Sequence, residues 1–340
     1  MGWSVHRNDP VPETAGRGEE TLTLVLNGAS LTWRDLADAL RAEHLDITLD
    51  PVARSQMTRA REAGLAKLQA DPGLRVYGWN QALGPFKDRQ LEPEEQVRFQ
   101  VNVLRSHSTG LGETLPRQVA RLALLVRANC LARGTSGARP ELVDRMNEAV
   151  NLGLIPVIPG TGSMGTGDLQ PMAAAGLALT GDAAGRVRCD DDQERSAPQA
   201  WAARGRKPEF RLATGEAIAL ISGSAVLTAH LVFAVEEVYR QVETFLGAFA
   251  LFCEASRVER DAFDPRIHAE RHMPWEMQAN ELILRLIGDS QWVTDEGRRR
   301  VGEYAPRIQD ATSVRSVPHQ IGIILRELER AWEDATRGAN

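Results

Sequence analysis

From Ala217 to Val235 the chain carries no Asp, Glu, Lys or Arg, and no other feature limits its folding choices so strongly. An uncharged apolar run of this length either spans a bilayer or lies against other protein along much of its surface. Ser222-Gly223-Ser224 breaks the run, His230 sits inside it, Glu236, Glu237 and Arg240 follow at once, and no second such run exists. These features predict a helix buried in a large or oligomeric helical core, in a soluble, cytoplasmic protein with no membrane partner. A chain of 340 residues can supply that core. Forty basic residues against 46 acidic ones leave a net charge of −6, and no basic stripe with interleaved aromatics occurs. That balance argues against a nucleic-acid partner. Cys130, Cys189 and Cys253 lie too far apart in sequence to suggest a disulfide framework or a CxxC metal site. Residues 1–20 are polar, bear Pro and Gly and lack an apolar signal core, and read as a flexible arm.

Periodicity and punctuation predict few strands and many helices. Thr21–Leu26 alternates as a short strand, and Asn27-Gly28 reads as a turn. Ser30 or Thr32 can cap a helix from Trp33 to Glu43, and Pro51 opens the next, which runs to Ala70. Val76–Pro85 is irregular and carries two large aromatics. Helices are expected over Pro93–Ser106, Pro116–Arg133, Pro140–Gly153, Asp168–Leu179, Ser224–Ser256, Trp275–Ile287 and Pro318–Thr336. The charged Asp190–Arg211 reads as a surface excursion, with Asp190–Asp192 a solvated loop.

Gly160, Gly162 and Gly165 satisfy GxGxxG, the fingerprint of a dinucleotide-binding turn. The context is wrong for that reading: helices precede the apolar run Leu154–Pro159, no βαβ pattern follows, and Pro159 abuts the first glycine. The wider neighbourhood fits another pattern. Arg133-Gly134-Thr135-Ser136-Gly137-Ala138-Arg139-Pro140-Glu141 is followed by Gly162-Ser163-Met164-Gly165-Thr166-Gly167-Asp168-Leu169-Gln170-Pro171. This pair resembles the RGxSGxRPE and GSxGASGDLxPLAH segments of the histidine and aromatic amino acid ammonia-lyases and aminomutases. Val76-Tyr77-Gly78-Trp79-Asn80 resembles that family's YGxNTGFG loop. Ser106–Gly112 resembles SHAAGxG, Phe263–His268 resembles PFDxRIH, and Ile308–Arg315 resembles VQDPYSLR. The resemblance spans roughly residues 21 to 336. It implies a mainly α fold of the fumarase-like type, a long antiparallel helical bundle with a small irregular amino-terminal region, occupying 21–340. It also implies a homo-oligomer, tetramer or dimer, acting on a small-molecule amino acid or related carboxylate.

The family's chemistry uses an electrophile made from its own backbone, the MIO group. It forms when an Ala-Ser-Gly tripeptide cyclises and loses two waters, leaving an exposed methylene; a loop tyrosine then serves as general base. Here the segment reads Gly165-Thr166-Gly167, one residue shorter, with threonine for serine. A dehydrated threonine would put a methyl on the carbon to be attacked, so the sequence predicts no standard MIO group and no other cofactor. The family's LNGT asparagine falls at Ser222, its QDPYSLR tyrosine at Thr312, and the histidine of its PLAH run at Ala174. The carboxy-terminal helical region that family members carry after this point lies beyond Asn340, which leaves room for a partner chain supplying it.

The retained residues suggest roles. Tyr77 can act as base; Asn80, His107, Ser222 and Gln309 can contact the substrate; Arg315 can clamp a carboxylate bidentately. Asp168 can cap the helix it opens while the amides of Gly165–Gly167 face an anion. His268 and His272 stand four apart without an evident third ligand and read as a solvated face, and His319 reads as a helix-start residue; no metal is expected. Three functions remain open: a lyase-like enzyme working through Tyr77 without MIO, by elimination, isomerisation or cyclisation; a true ammonia-lyase or aminomutase with a Thr-derived electrophile or a split partner chain; and a non-catalytic subunit of a lyase complex.

Overall fold

The computed structural model describes residues 21–304 and 308–340; the expected arm, 1–20, lies outside the described residues. The chain divides into two compact units, Met1–Leu227 with Ala339–Asn340, and Thr228–Gly338. Both are mainly helical, as the sequence predicts.

The first unit opens with β1 (Thr21–Leu26), α1 (Trp33–Arg41) and β2 (His44–Leu49), the strands pairing in parallel with Thr21 opposite His44 and Leu26 opposite Leu49. Thr32 and Asp35 form a reciprocal capping box at the start of α1. The helix stops at Arg41, short of the expected Glu43, because buried Arg121 donates to the carbonyls of Ala39 and Ala42 and β2 begins three residues on. Burial holds that guanidinium down to about 10, with the neighbouring Arg117 adding to the shift. The strand β2 is a departure from the expectation, although its alternating burial at Leu45, Ile47 and Leu49 is the period-two pattern of a half-covered strand.

Proline at the first turn fixes several of the following helices. In α2 (Pro51–Ala70), Asp50 accepts from the amides of Val52 and Ala53; Pro93 opens α3 (Pro93–His107). Then come β3 (Leu111–Thr114), α4 (Arg117–Ala132), α5 (Pro140–Asn151), β4 (Ile155–Pro156), β5 (Pro159–Thr161) and α6 (Leu169–Thr180). The core of the unit is α4 and α6, which bury residues on nearly every side. At Gly176 of α6, a Cβ would lie 2.8 Å from a methyl of Leu104 on α3, so the missing side chain sets how closely these helices pack.

The expected excursion at Asp190–Arg211 is more ordered than its charge suggests. β6 (Arg186–Arg188) pairs antiparallel with β7 (Glu194–Ser196), which leads into α7 (Ala197–Ala203). Trp201 of α7 is fully buried, donates to Ala178 O at 3.0 Å and stacks under Arg145. A single tryptophan outweighs the surrounding polar residues, since it alone buries some 150–250 Å². The unit closes with α8 (Glu216–Ile221), whose first residue is a fully buried carboxylate held by Arg139 at 2.8 Å and by the amides of Arg139 and Ala213.

The second unit is dominated by α9 (Ala225–Ser256), followed by α10 (Pro265–Ala269), α11 (Pro274–Ile287), α12 (Asp295–Arg300), α13 (Thr312–Arg315) and α14 (Val317–Ala339). The stretch Glu216–Ser256 is long and apolar enough to cross a membrane, yet half of its most apolar window is buried inside the protein. Two faces explain the half. Ala229, Val232, Val235, Val242, Leu246, Phe249 and Cys253 are buried, whereas Leu227, Val238, Phe245 and Phe252 are exposed.

Candidate active site

The Tyr77 loop is held by its neighbours rather than by Tyr77 itself. Trp79 is buried beneath the Arg61 guanidinium, 4.7 Å from its ring, and three glycines make room for it. A Cβ on Gly137 or Gly215, both at positive φ, would fall 2.6 or 2.3 Å from the indole, and one on Gly64 would touch its edge. Gly78, at φ +73°, passes so close to Ile218 of α8 that a Cβ would sit 2.6 Å from its methyl. Tyr77 is half exposed, and its hydroxyl accepts a hydrogen bond from the Gly84 amide at 3.0 Å.

Asn80, expected to orient a substrate, uses both ends of its side chain inside the loop. Its Oδ1 accepts from Val76 N and its Nδ2 donates to Leu74 O, each at 2.7 Å. His107 ends α3 half-buried, with Nδ1 2.8 Å from Val103 O and 3.1 Å from Ser106 Oγ. Beyond it the chain is laid against the glycine turn: β3 pairs antiparallel with β5, and a Cβ on Gly110 would collide with Gln170 and Pro159.

The glycine turn is exposed from Thr161 to Thr166. Gly165 and Gly167 adopt φ of +76° and +100°, which glycine alone enters freely. The Ser163 hydroxyl accepts from Gly165 N and donates to Gly167 O, both at 3.3 Å. Nothing lies within 4 Å of where a Gly165 Cβ would be, whereas Gly167 is packed on the carbonyl of Gly223. The next amide, Asp168 N, donates to that carbonyl at 2.8 Å.

Asp168 is buried and occupies the capping position of α6, but it caps another helix. Its Oδ2 accepts from Val226 N at 2.7 Å, in the first turn of α9, and it makes no capping bond to α6. This corrects the sequence expectation. A carboxylate at that helix start satisfies an orphan amide and favours the positive end of the helix dipole. Beneath the same break lies buried Arg127, donating to Ser222 O at 2.6 Å and to Ala219 O. Burial lowers its pKa against the opposing pull of the Cys130 and Asp168 sites. Ser222 itself ends α8 and is exposed. The structure thus gathers Gly165, Thr166, Gly167 and Ser222 at one place, and sets the Tyr77–Asn80 loop on the other end of α8.

Gln309 and Arg315 belong to the second unit. Gln309 is exposed; Arg315 donates through Nε to the Asp310 carbonyl at 3.0 Å and reaches Thr312 Oγ1 at 3.4 Å. Both border an open cavity of about 360 Å³ together with His268 and His319. His268 is not on a solvated face. Helix α10 ends at Ala269, so the four-residue spacing to His272 has no helical meaning; His268 is fully buried and lies 2.9 Å from Glu276 Oε1. His319 is in the first turn of α14, as expected, and also faces Glu276.

Residues 31–340 match the family model of aromatic amino acid lyase. The chain belongs to the aromatic amino acid lyase family. It is 36% identical over 314 residues to a histidine ammonia-lyase of Geobacillus thermodenitrificans, an alignment covering 91% of this chain and 59% of that protein. In structure it resembles a phenylalanine aminomutase of Pantoea agglomerans, with a TM-score of 0.83 at 25% identity over 94% of this chain and 62% of the other. A histidine ammonia-lyase of Trypanosoma cruzi gives a TM-score of 0.78 at 28% identity, covering 94% of this chain and 56% of that one. The chain spans about three-fifths of the length of such lyases. Within the family signature, Arg139 and Pro140 build scaffold: one clamps Glu216 and the other opens α5. Sequence reasoning missed Arg127, Asp168 as the cap of α9, and Glu216. Their common signal is a charge set among apolar neighbours in or beside a helix, which must find a partner when buried.

Proposed function

We propose that this family member processes an amino acid or related carboxylate by proton abstraction at Tyr77, without the standard MIO electrophile. The observation that carries the reading is the turn at Ser163–Gly167. Family members form their electrophile from the protein chain itself, but here Thr166 stands at the dehydrating position and the Ser163 hydroxyl bridges the backbone on both sides of it. The donor set does not fit the group: a dehydrated threonine ends in a substituted carbon that hinders attack. In the proposed elimination the phenolate form of Tyr77 takes the β-proton, the C–H electron pair becomes the C=C bond, and the C–N pair departs with the substrate's ammonium nitrogen as neutral ammonia. Similarity to histidine ammonia-lyases supports an amino acid with a polar ring as the substrate class, with His107 as its contact.

A second reading, a Thr-derived electrophile, draws on the open space around Gly165, which leaves room for the bend to close. One experiment separates the two. Intact mass spectrometry is expected to give the unmodified chain, and Tyr77→Phe is expected to abolish turnover with the fold kept. A mass two waters light would establish the second reading instead, and full activity in Tyr77→Phe would remove Tyr77 from the mechanism.

The same proposal includes self-association through α9. Leu227, Leu231, Ala234, Val238, Gln241, Phe245, Ala248 and Phe252 alternate at spacings of four and three, and all but Leu231 are exposed or largely so in the single chain. Such a seam is the pattern that packs against another helix.

A further inference from the structure

We infer that His268, Glu276 and His319 form a binding site for a divalent transition metal of the zinc class, which ties α10, α11 and α14 together. Their ligand atoms lie within 4.8 Å of one another. Glu276 Oε1 is 2.9 Å from His268 Nδ1 and 2.7 Å from His319 Nδ1, while Oε2 is taken by Arg271 Nε at 2.9 Å. The arginine therefore fixes the carboxylate and leaves one oxygen facing two imidazoles.

The two imidazoles are not equivalent. His268 Nδ1 is aligned for a hydrogen bond with Oε1. His319 Nδ1, although closer, is not aligned for one and finds no hydrogen-bond partner among the described residues. A nitrogen lone pair 2.7 Å from a carboxylate oxygen is repulsive unless something positive lies between them. With the geometry poor for a proton, a metal ion is the cation that suits it. Zinc bonds of about 2.0–2.1 Å in a tetrahedron place ligand atoms roughly 3.3 Å apart, so binding would open the two oxygen–nitrogen pairs from 2.9 and 2.7 Å and draw the whole ligand set, now spread within 4.8 Å, to that spacing. Two imidazoles and one carboxylate are a donor set of the borderline type, matched to zinc, cobalt or nickel rather than to magnesium or calcium.

Access is open on one side. His319 and His268 line the cavity of about 360 Å³, whose rim also carries Glu259, Asp261 and Asp310. Glu259 is paired with Arg298 at 3.2 Å and Arg315 shares the lining, so the rim is of mixed charge. The His319 side chain is 37% exposed, whereas Glu276 and His268 are nearly fully covered, so the ion would arrive from the His319 side and close the site.

The test uses the 340-residue chain freed of metal by a chelator and titrated with Co²⁺, then with Zn²⁺ against a chromophoric competitor. One Co²⁺ per chain with visible absorption bands is expected, displaced by Zn²⁺, together with a raised Tm. His319→Ala, at the more exposed ligand, is expected to lose the bands and weaken binding about 100-fold or more with its circular dichroism unchanged; Glu276→Gln should do likewise, and His272→Ala should bind as the parent does. Absence of stoichiometric binding in the parent protein, or equal binding in His319→Ala, would overturn the site. If Glu276→Gln fails to fold, His319→Ala decides alone.

Discussion

Cys253 lies fully buried on α9, and its thiol is pushed up to about 12 by burial first and by the nearby Asp310 and Glu254 carboxylates second. A free cysteine loses its proton near pH 8.5. The folded chain therefore holds this proton more tightly than the unfolded chain, and the resulting stability is fully present below about pH 8.5 and declines as pH rises toward 12. Native protein treated with iodoacetamide at pH 8 should show no label on Cys253 in peptide mass spectra, whereas urea-unfolded protein should be labelled fully. Rapid native labelling would contradict the assigned environment. A second residue-scale prediction concerns Gly215, at φ +84° with the Trp79 ring where a Cβ would be. Gly215→Ala combines backbone strain with overpacking and should cost about 2–4 kcal/mol in urea unfolding, while loosening the Tyr77 loop. The sequence motifs single out Tyr77, His107 and the glycine turn as candidates, because residue type and spacing are local properties. That Asn80 spends its amide on Val76 and Leu74, or that Trp79 is the anchor and Tyr77 the exposed neighbour, depends on residues far away in the chain.

Among the elements, boundaries were legible wherever a side chain enforces them. Pro51, Pro93 and Pro140 each begin a helix in the structure, and Thr32 and Asp50 make the capping bonds their types suggest. β2 was not read, since it forms only by pairing with β1, and α7 was hidden by charged neighbours of Trp201. The cap of α9 was not readable either, because the residue that supplies it, Asp168, stands ahead of α6. Asp168→Ala would leave Val226 N without that acceptor in a buried place, and the loss should be about 1–3 kcal/mol by urea or thermal unfolding. Asp168→Asn keeps an oxygen at the site and should lose less. If the two variants were equally stable, the bond to Val226 would carry no weight in holding the break between α8 and α9.

For the whole molecule, the apolar helix α9 sets the final prediction. Its inward residues account for the buried half of α9, and the remaining face would leave Phe245 and Phe252 exposed to water at 45% and 49% in a lone chain. Both side chains are already about half covered, so completing their burial in a helix–helix seam gains roughly half of a full transfer, about 0.7–1.5 kcal/mol each, and with both chains of a symmetric pair contributing, a dimerisation equilibrium shifts by about two to four orders of magnitude. Placing a carboxylate at both positions removes that gain and adds like charges across any symmetric contact, while the inward face of α9 is untouched. Light scattering should therefore find the parent protein at a multiple of 37.4 kDa, and the Phe245→Glu, Phe252→Glu double variant at a smaller mass with its circular dichroism preserved. A parent protein that already runs as a single chain at micromolar concentration would leave the heptad seam without a partner helix and refute self-association through α9.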